Sequence, residues 1–247
     1  MGAIYKRELR SYFTTPIGYV FLAVYLAVNG FAFSVSTLEA GMNSSISSYF
    51  VLTIFILAIV LPILTMKLFS EERKNGTEQG LLTAPVSITS IVLGKYFAAL
   101  TMFAVAMAVS SFNFTLLFKY AELPLYGDYS ILDLMPVGLI IGNICGTFCL
   151  GAAFIAVGTF ISAMTENQIS AVIITVLSTG VLVLCSFATE FINNSFIRVA
   201  VKWFSVLERL SSLTNGYLDI TTFIYFISFV VVFLFLTGRV YDRRRWA

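Results

Sequence analysis

YFVLTIFILAIVLPILTMKLFSEERKNGTEQGLLTAP, residues 49–85, joins two pieces of chain that differ sharply in polarity. The first half is an uncharged apolar run that ends near Met66, and Pro62 is expected to kink it close to that end. The second half is polar, charged and rich in turn-forming residues. Because about 20 apolar residues cross a bilayer as a helix, the pattern predicts a membrane span followed by a compact charged element.

The whole chain shares the character of the apolar half. It has 247 residues, of which 59% are hydrophobic and 11% are charged, and its mean hydropathy is +0.93. Soluble domains carry about a quarter charged residues, and a single core facing water could not hide so much apolar surface. The composition therefore predicts an integral membrane protein.

Six uncharged runs are long enough to cross a bilayer as helices. They comprise residues 17–38, 49–66, 96–118, 136–165, 167–189 and 220–238. The predicted fold class is all-α, an integral membrane protein in which residues 1–247 form one transmembrane domain. Because no run interior carries an acidic or basic residue, a proton relay or an ion-coupled carrier is disfavoured.

Two amphipathic stretches flank these spans. Residues 3–15 place aromatic residues and Leu9 on one side of a helical wheel and basic residues on another. This pattern predicts an interfacial helix that ends where Pro16 turns the chain into the first span; an ordinary positively charged flank is the alternative. Residues 190–219 mix apolar and charged side chains, which predicts an extracytoplasmic helical segment, either a re-entrant hairpin or helices lying flat.

Lysine and arginine are distributed unevenly between the two ends of the spans. One end carries Lys6, Arg7, Arg10, Lys67, Arg73, Lys74, Lys95, Arg239, Arg243, Arg244 and Arg245, and the other carries Lys119, Arg198, Lys202 and Arg209. Basic residues are enriched in cytoplasmic loops. Both termini and the charged element are therefore predicted to face the cytoplasm.

The sequence lacks the residues that metal sites, disulfide frameworks, nucleic-acid binding and nucleotide binding usually require. The chain has no histidine, and its three cysteines lie in apolar runs without a C-x-x-C pair, so neither a metal site nor a disulfide framework is indicated. A net charge of +2 offers no basic field for nucleic acid. Gly94-Lys95 lacks the rest of a P-loop. We expect no catalytic residue, bound metal or bound cofactor in this chain.

Within the charged element, Asn75-Gly76-Thr77-Glu78 has the form of a helix start. Asn75 is a favoured N-cap residue, and Glu78, three positions later, is expected to reach back to the free amides. Pro85 cannot continue the hydrogen-bond ladder. A short helix over residues 75–84 is therefore predicted, with a solvated turn as the alternative.

Three stretches carry a family resemblance. Residues 68–100, LFSEERKNGTEQGLLTAPVSITSIVLGKYFAAL, resemble the signature region of ABC-2 type permeases, the membrane subunits of one class of ABC transporters. Residues 5–21 resemble the elbow helix and first span of that family, and residues 210–246 resemble its last external segment and sixth span. The likeness is closest to the branch that contains the gliding-motility permease GldF and the copper-maturation permease NosY.

The resemblance implies a non-catalytic membrane subunit of a transporter. Such a subunit pairs with a second permease subunit, identical or related, and with two separate ATPase domains that bind ATP and Mg. The complex would export a substrate across the cytoplasmic (inner) membrane of a prokaryote. An auxiliary extracytoplasmic protein is a further candidate partner, membrane lipid surrounds the spans, and no nucleic acid is expected.

Two other functions stay open at this point. In the first, the subunit couples ATP hydrolysis to mechanical work on an extracytoplasmic partner, without a classical cargo. In the second, no ATPase is involved and the chain is a passive channel or a membrane scaffold.

The resemblance also implies roles for particular residues. Glu72, Arg73, Gly76 and Thr77 match the family's E-R-x-x-G-T element, and the residues expected to couple the ATPase to the spans are Glu71, Glu72, Arg73, Gly76, Thr77, Glu78, Leu81, Leu82, Pro85 and Glu166. The acidic residues 71, 72 and 78 are expected to pair with the ATPase or with the elbow helix, through Lys6, Arg7 and Arg10. Polar side chains inside spans usually face protein or a cavity, which makes Asn29, Asn113 and Asn143 candidates for a substrate path.

Overall fold

The computed structural model describes residues 1–38, 46–82, 86–114, 137–191, 205–206, 209–210 and 219–245. Within these ranges all regular secondary structure is helical. The helices are α1 (Gly2–Thr14), α2 (Pro16–Phe33), α3 (Ile46–Thr65), α4 (Lys67–Lys74), α5 (Glu78–Leu82), α6 (Ile88–Ser110), α7 (Val137–Met164), α8 (Gln168–Phe191) and α9 (Ile220–Arg245). A π-helical turn over Ser34–Leu38 extends α2.

Six helical segments of the described chain are long and apolar enough to cross a membrane. They are formed by α2, by α3 continued into α4, and by α6, α7, α8 and α9. This confirms the predicted six-span, all-α fold. The separate helix α1 lies where the elbow helix was predicted, whereas most of residues 190–219 lies outside the described residues.

The third apolar run, predicted over residues 96–118, is part of a helix that begins before it. Helix α6 starts at Ile88, so Lys95 lies about two turns inside it, and only 1% of this lysine is exposed. Lys95 thus lies in the helical turns that precede the predicted apolar run. Its charge does not end the helix, because Lys95 finds acidic partners inside the protein.

Helix α7 lies at the centre of the bundle. It packs against α3, α4, α6, α8 and α9. Gly158 allows the close approach to α3, because a Cβ at this position would lie 2.2 Å from Thr65 Oγ1. Helices α8 and α9 keep exposed apolar faces, with Ile173 and Ile224 as examples, and such faces suit lipid hydrocarbon.

Pro62 lies within α3 and leaves one carbonyl of that helix without its usual partner. Proline has no amide hydrogen, so the carbonyl of Ala58, four residues earlier, receives no bond from it. The hydroxyl of Thr179 in α8 shares its hydrogen between the Ala58 oxygen, over 3.0 Å, and the carbonyl of Thr175 in its own helix, over 2.8 Å. A side chain from a neighbouring helix thus satisfies a backbone group that lipid could not.

Candidate functional site

Most of the predicted functional residues meet at one end of the helix bundle, which we call the charged end. It comprises α1, α4, α5, the first turns of α6, the connection between α7 and α8, and the last turns of α9. Ion pairs join α1 to α4, α4 to α6, α4 to the α7–α8 connection, and α5 to α9. Segments that are distant in the sequence are therefore in direct contact here.

Helix α1 is anchored to the bundle by its buried Tyr12. The Tyr12 hydroxyl donates to the backbone carbonyl of Leu64, near the end of α3, over 2.9 Å. Gly18 permits the approach, because a Cβ there would lie 2.1 Å from the Tyr12 carbonyl oxygen. Burial, with the charges of Glu8 and Glu71, raises the pKa of Tyr12 well above its usual value, so the hydroxyl remains a donor.

A second anchor holds the last turn of α1 against the start of α4. Lys67 Nζ donates to Ser11 Oγ over 3.2 Å and to Thr15 Oγ1 over 3.0 Å. The same ammonium lies 4.4 Å from the centre of the Tyr12 ring, within the range of a cation–π contact. Lys67 thus joins the start of α4 to the last turn of α1.

Two basic and two acidic side chains form a group between α1, α4 and α6, which we call the ion cluster: Arg7, Glu8, Glu72 and Lys95. Lys95 Nζ lies 3.0 Å from Glu72 Oε2 and 3.5 Å from Glu8 Oε1. Arg7 Nη2 donates to Glu8 Oε1 and to Glu72 Oε1, over 2.7 Å in both cases. Burial lowers the pKa of Arg7, but the hydrogen bonds and charges of the two carboxylates outweigh it, and the pKa is raised.

Lys95 is the most deeply buried member of the ion cluster. Its side chain is 1% exposed, its ammonium donates to the carbonyl of Leu68, and it lies 4.9 Å from the centre of the Phe69 ring. Leaving a charge unpaired in such a place costs several kcal/mol. The contact between α4 and α6 therefore depends on the two carboxylates staying in position.

The junction between α3 and α4 is held by Ser162 of α7, a residue that the sequence did not single out. Its hydroxyl donates to the carbonyl of Met66 over 3.1 Å, and it accepts from the amides of Phe69 and Ser70 over 3.1 Å and 3.3 Å. These backbone groups surround the interruption of the helix at Met66, where intrahelical partners run out. A lone serine in an apolar run has no pattern that marks it, because only the fold brings it to this junction.

The end of α4 gives a physical account of the E-R-x-x-G-T pattern. Gly76 has a φ of 69°. The amide of Thr77 donates to the carbonyl of Glu72 over 2.9 Å, and the amide of Gly76 donates to the carbonyl of Arg73 over 3.1 Å. These two bonds make a Schellman motif, in which a left-handed glycine closes a helix. The glycine thereby fixes where the Glu72 and Arg73 side chains stand.

The prediction that Asn75 caps the following helix is wrong. Asn75 instead ends α4, with a φ of −87° and a ψ of −1°, and α5 covers only Glu78–Leu82. The reason is that the left-handed Gly76 closes the preceding helix and leaves Asn75 inside the closing turn. Glu78 does not reach back to it, because its Oε1 lies 3.3 Å from Arg244 Nη1 of α9.

Arg73 connects α4 to the α7–α8 connection. It forms an ion pair with Glu166, and its Nη1 donates to the Met164 carbonyl over 3.3 Å. The Glu166 side chain is 71% exposed, and pairs in such settings contribute about 0–1 kcal/mol. The pair therefore sets the relative position of the two segments more than it stabilises them.

The turn between α4 and α5 is exposed together with the residues that flank it, apart from Glu78. Residues 74–77 and 79–80 are exposed, whereas residues 67–70 just before them are buried. The remaining predicted residues of this end are placed as follows: Lys6 and Arg10 are on the exposed side of α1, Glu71 is half-buried in α4, and the side chains of Leu81 and Leu82, like Pro85, lie outside the described residues.

The three asparagines predicted for a substrate path occupy different environments. Asn29 is fully buried; its amide donates to the Tyr25 carbonyl over 3.1 Å, and its oxygen lies 3.4 Å from the hydroxyls of Tyr49 and Thr53. It therefore serves as a polar contact between α2 and α3. Asn143 is buried within α7, and Asn113 follows the end of α6 and is half-exposed. These placements leave the proposed role of the three residues a prediction.

An open cleft of about 370 Å³ lies at the charged end, where α7 and α9 finish. It is lined by Met164, Val240, Arg243 and Arg244. Among the described residues, no group of three or more His, Cys, Asp and Glu is placed to hold a metal ion. The chemistry of this end is therefore that of ion pairs, exposed backbone and an arginine-lined cleft.

A known family matches the sequence over most of its length. The sequence model of a family described as ABC-2 family transporter protein matches residues 9–182 of this chain. The matched region contains α4, α5, Glu72 and Lys95 and ends before α9. No curated protein matches the sequence.

Proposed function

The chain belongs to the ABC-2 family of transporter proteins, and from this premise we propose that its charged end receives the force of a separate ATPase and passes it to the membrane helices. The chain is a multi-pass membrane subunit with six apolar spans. In the proposed complex it pairs with a second permease subunit, and two ATPase subunits bind ATP and Mg.

In the proposed orientation, the charged end and both termini face the cytoplasm. The basic residues that the sequence concentrates at one end of the spans support this orientation. ATP is available on that side, so an ATPase must dock there. The membrane is then the cytoplasmic membrane of a prokaryote, and we propose export as the direction of transport.

The observation that carries the proposal is the ion cluster beneath an exposed segment. Residues 74–77 and 79–80 are open to a partner. Directly before them, Glu72 is bound to Arg7 of α1 and Lys95 of α6, and directly after the turn, Glu78 is bound to Arg244 of α9. A displacement of the segment therefore acts on three helices at once.

The proposed mechanism is alternating access. ATP-driven closure of the two ATPase subunits pushes the α4–α5 segments of the two permease subunits together. Because α4 is fixed to α7 through Ser162 and to α6 through Lys95, the push tilts spans and does not merely bend a loop. Release of ADP and phosphate would return the spans to their first arrangement.

The proposal is tested by changing the apolar pair at the end of α5. Replacing Leu81 and Leu82 together by Asp should abolish copurification of the ATPase subunits and ATP-dependent transport, because each buried leucine would contribute about 1.5–3 kcal/mol to the contact. The matched control replaces both by Met, which keeps an apolar side chain of similar volume and should retain both activities. Unchanged ATPase copurification and transport in the Asp variant would refute the coupling role.

We also propose that the chain belongs to the branch of GldF and NosY, on the strength of residues 5–21, 68–100 and 210–246. In that branch an auxiliary extracytoplasmic protein is a candidate partner, and mechanical work without a classical cargo is the second function considered. Identification of the proteins that copurify with a tagged chain in mild detergent tests this placement. An ATPase and a second permease alone would favour transport, and an additional extracytoplasmic protein would favour mechanical work.

A further inference from the structure

The cleft at the charged end combines two kinds of surface. Its apolar part is formed by Met164, the last residue of α7, and by Val240 of α9. Its polar part is formed by Arg243 and Arg244, one turn further along α9. Phe160 and Phe233 pack edge to face at 5.8 Å between the same two helices, so the cleft opens just beyond a closed helix contact.

The arginines at this cleft carry more positive charge than their neighbours neutralise. Residues 239–245 contain four arginines and one acidic residue, Asp242. Arg244 is paired with Glu78, and Arg239 lies 5.0 Å from the centre of the Phe235 ring. Arg243 is exposed and forms no ion pair with a residue that the structure describes. The cleft therefore presents a guanidinium to an external anion.

The apolar side of the cleft continues along the membrane-spanning part of α9. Leu236, Val240 and Arg243 follow one another at the spacing of one helix face. Val232 and Phe235, a turn earlier, are more than half exposed, which places hydrocarbon-compatible surface directly beside the arginines. A ligand that fits both surfaces must carry a phosphate or similar anion on a long apolar chain.

We propose that this cleft binds an anionic phospholipid of the inner leaflet. The phosphate pairs with Arg243, Arg244 flanks it, and one acyl chain lies along Val240 and Leu236 against Met164. Anionic lipids concentrate at the cytoplasmic surface, and each nearby Lys or Arg favours them by about fivefold. A free phosphate would use the arginines but not the apolar track, and this difference favours the lipid.

The test uses the purified full chain in mild detergent. Binding of phosphatidylglycerol and phosphatidylcholine with the same acyl chains is measured by native mass spectrometry. Arg243→Gln should weaken phosphatidylglycerol binding about fivefold and leave phosphatidylcholine unchanged, and Arg243→Lys should restore most of the preference. Arg245→Gln, an exposed arginine of the same helix end that does not line the cleft, is the matched control and should bind like the unchanged protein.

Further arms distinguish the lipid from other occupants. Inorganic phosphate and a phosphatidylglycerol with six-carbon chains should compete weakly, because they leave the apolar track empty. Equal effects of Arg243→Gln and Arg245→Gln, or equal binding of the two lipids, would overturn the proposal. So would effective competition by inorganic phosphate. If Arg243→Gln kept lipid binding but lost the copurifying ATPase, the cleft would be a protein contact instead. The proposal does not depend on the coupling role of α5, so the two can fail separately.

Discussion

Lys95 brings a positive charge into a place that water barely reaches. Two carboxylates, one from α1 and one from α4, compensate that charge at 3.5 Å and 3.0 Å. A buried ion pair adds little net stability, since desolvation offsets attraction, but removal of one partner is strongly destabilising. We therefore expect the cluster to favour one relative position of α1, α4 and α6, the one in which all four charges are paired.

Replacing Lys95 by Met should lower the free energy of unfolding by about 3–5 kcal/mol, because Glu8 and Glu72 lose their buried partner. Adding Glu72→Gln to this variant should recover part of the loss, since one uncompensated carboxylate is then removed. Thermal unfolding of the purified protein measures both effects. Lys74→Met, at an exposed lysine on the same segment, is the control and should leave the melting temperature nearly unchanged. A Lys95→Met protein as stable as this control would contradict the description of the cluster.

At the scale of the element, the α4–α5 turn shows which structural features can be predicted from sequence patterns and which cannot. A charged element between two spans, with a short helix that ends near residue 84, was predicted from turn residues and from Pro85. The direction of capping was not, because Asn75 suits either end of a helix, and only the left-handed Gly76 decides between them. The burial of Lys95 was not predicted either, because this residue stands at the edge of the apolar run 96–118 and its partners belong to α1 and α4. Ser162 carried no signal at all, because its partners are backbone groups of another helix.

Replacing Gly76 by Ala should destabilise the end of α4 by about 1–2 kcal/mol, because the left-handed conformation brings a Cβ close to the following carbonyl. Gly80 in α5 is the matched control, since it has no positive φ and a Cβ there would meet nothing within 4 Å. We expect Gly76→Ala to reduce ATP-dependent transport and to weaken the protection of this turn, and Gly80→Ala to leave that protection intact. Hydrogen exchange of the amides of residues 72–77 reports the local effect. Equal protection in the two variants would show that the Schellman motif does not hold this turn.

At the scale of the whole molecule, α1 behaves as part of the bundle. It contacts α2 and α6, its Tyr12 is buried against α3, and it contributes half of the ion cluster. The amphipathic pattern predicts that α1 lies in the membrane interface, but it did not indicate that Glu8 of this helix is buried. The pattern could not reveal this because the partner, Lys95, is in another helix.

The docking of α1 can be tested with two glycines of α2. Gly18→Ala should displace α1, because the new Cβ would lie 2.1 Å from the Tyr12 carbonyl oxygen, and should lower both thermal stability and ATP-dependent transport. Gly30→Ala is the matched control, since nothing lies within 4 Å of its Cβ, and the greater helix propensity of alanine should stabilise it by up to about 1 kcal/mol. A Gly18→Ala variant as stable and active as Gly30→Ala would show that α1 does not approach α2 this closely.

The hydrogen bond from Thr179 to the carbonyl of Ala58, which Pro62 leaves without an amide donor, has a consequence for the insertion of the spans during synthesis. The segment around Ala58 leaves the ribosome long before residue 179 is synthesised. The carbonyl oxygen of Ala58 therefore lacks this hydrogen-bond donor until the fifth span is inserted. During that interval hydrocarbon is a poor environment for it. We expect the early spans to linger in the protein-lined lateral opening of the insertion machinery and to be released into lipid together with the later ones. The chain would then mature in a single late step.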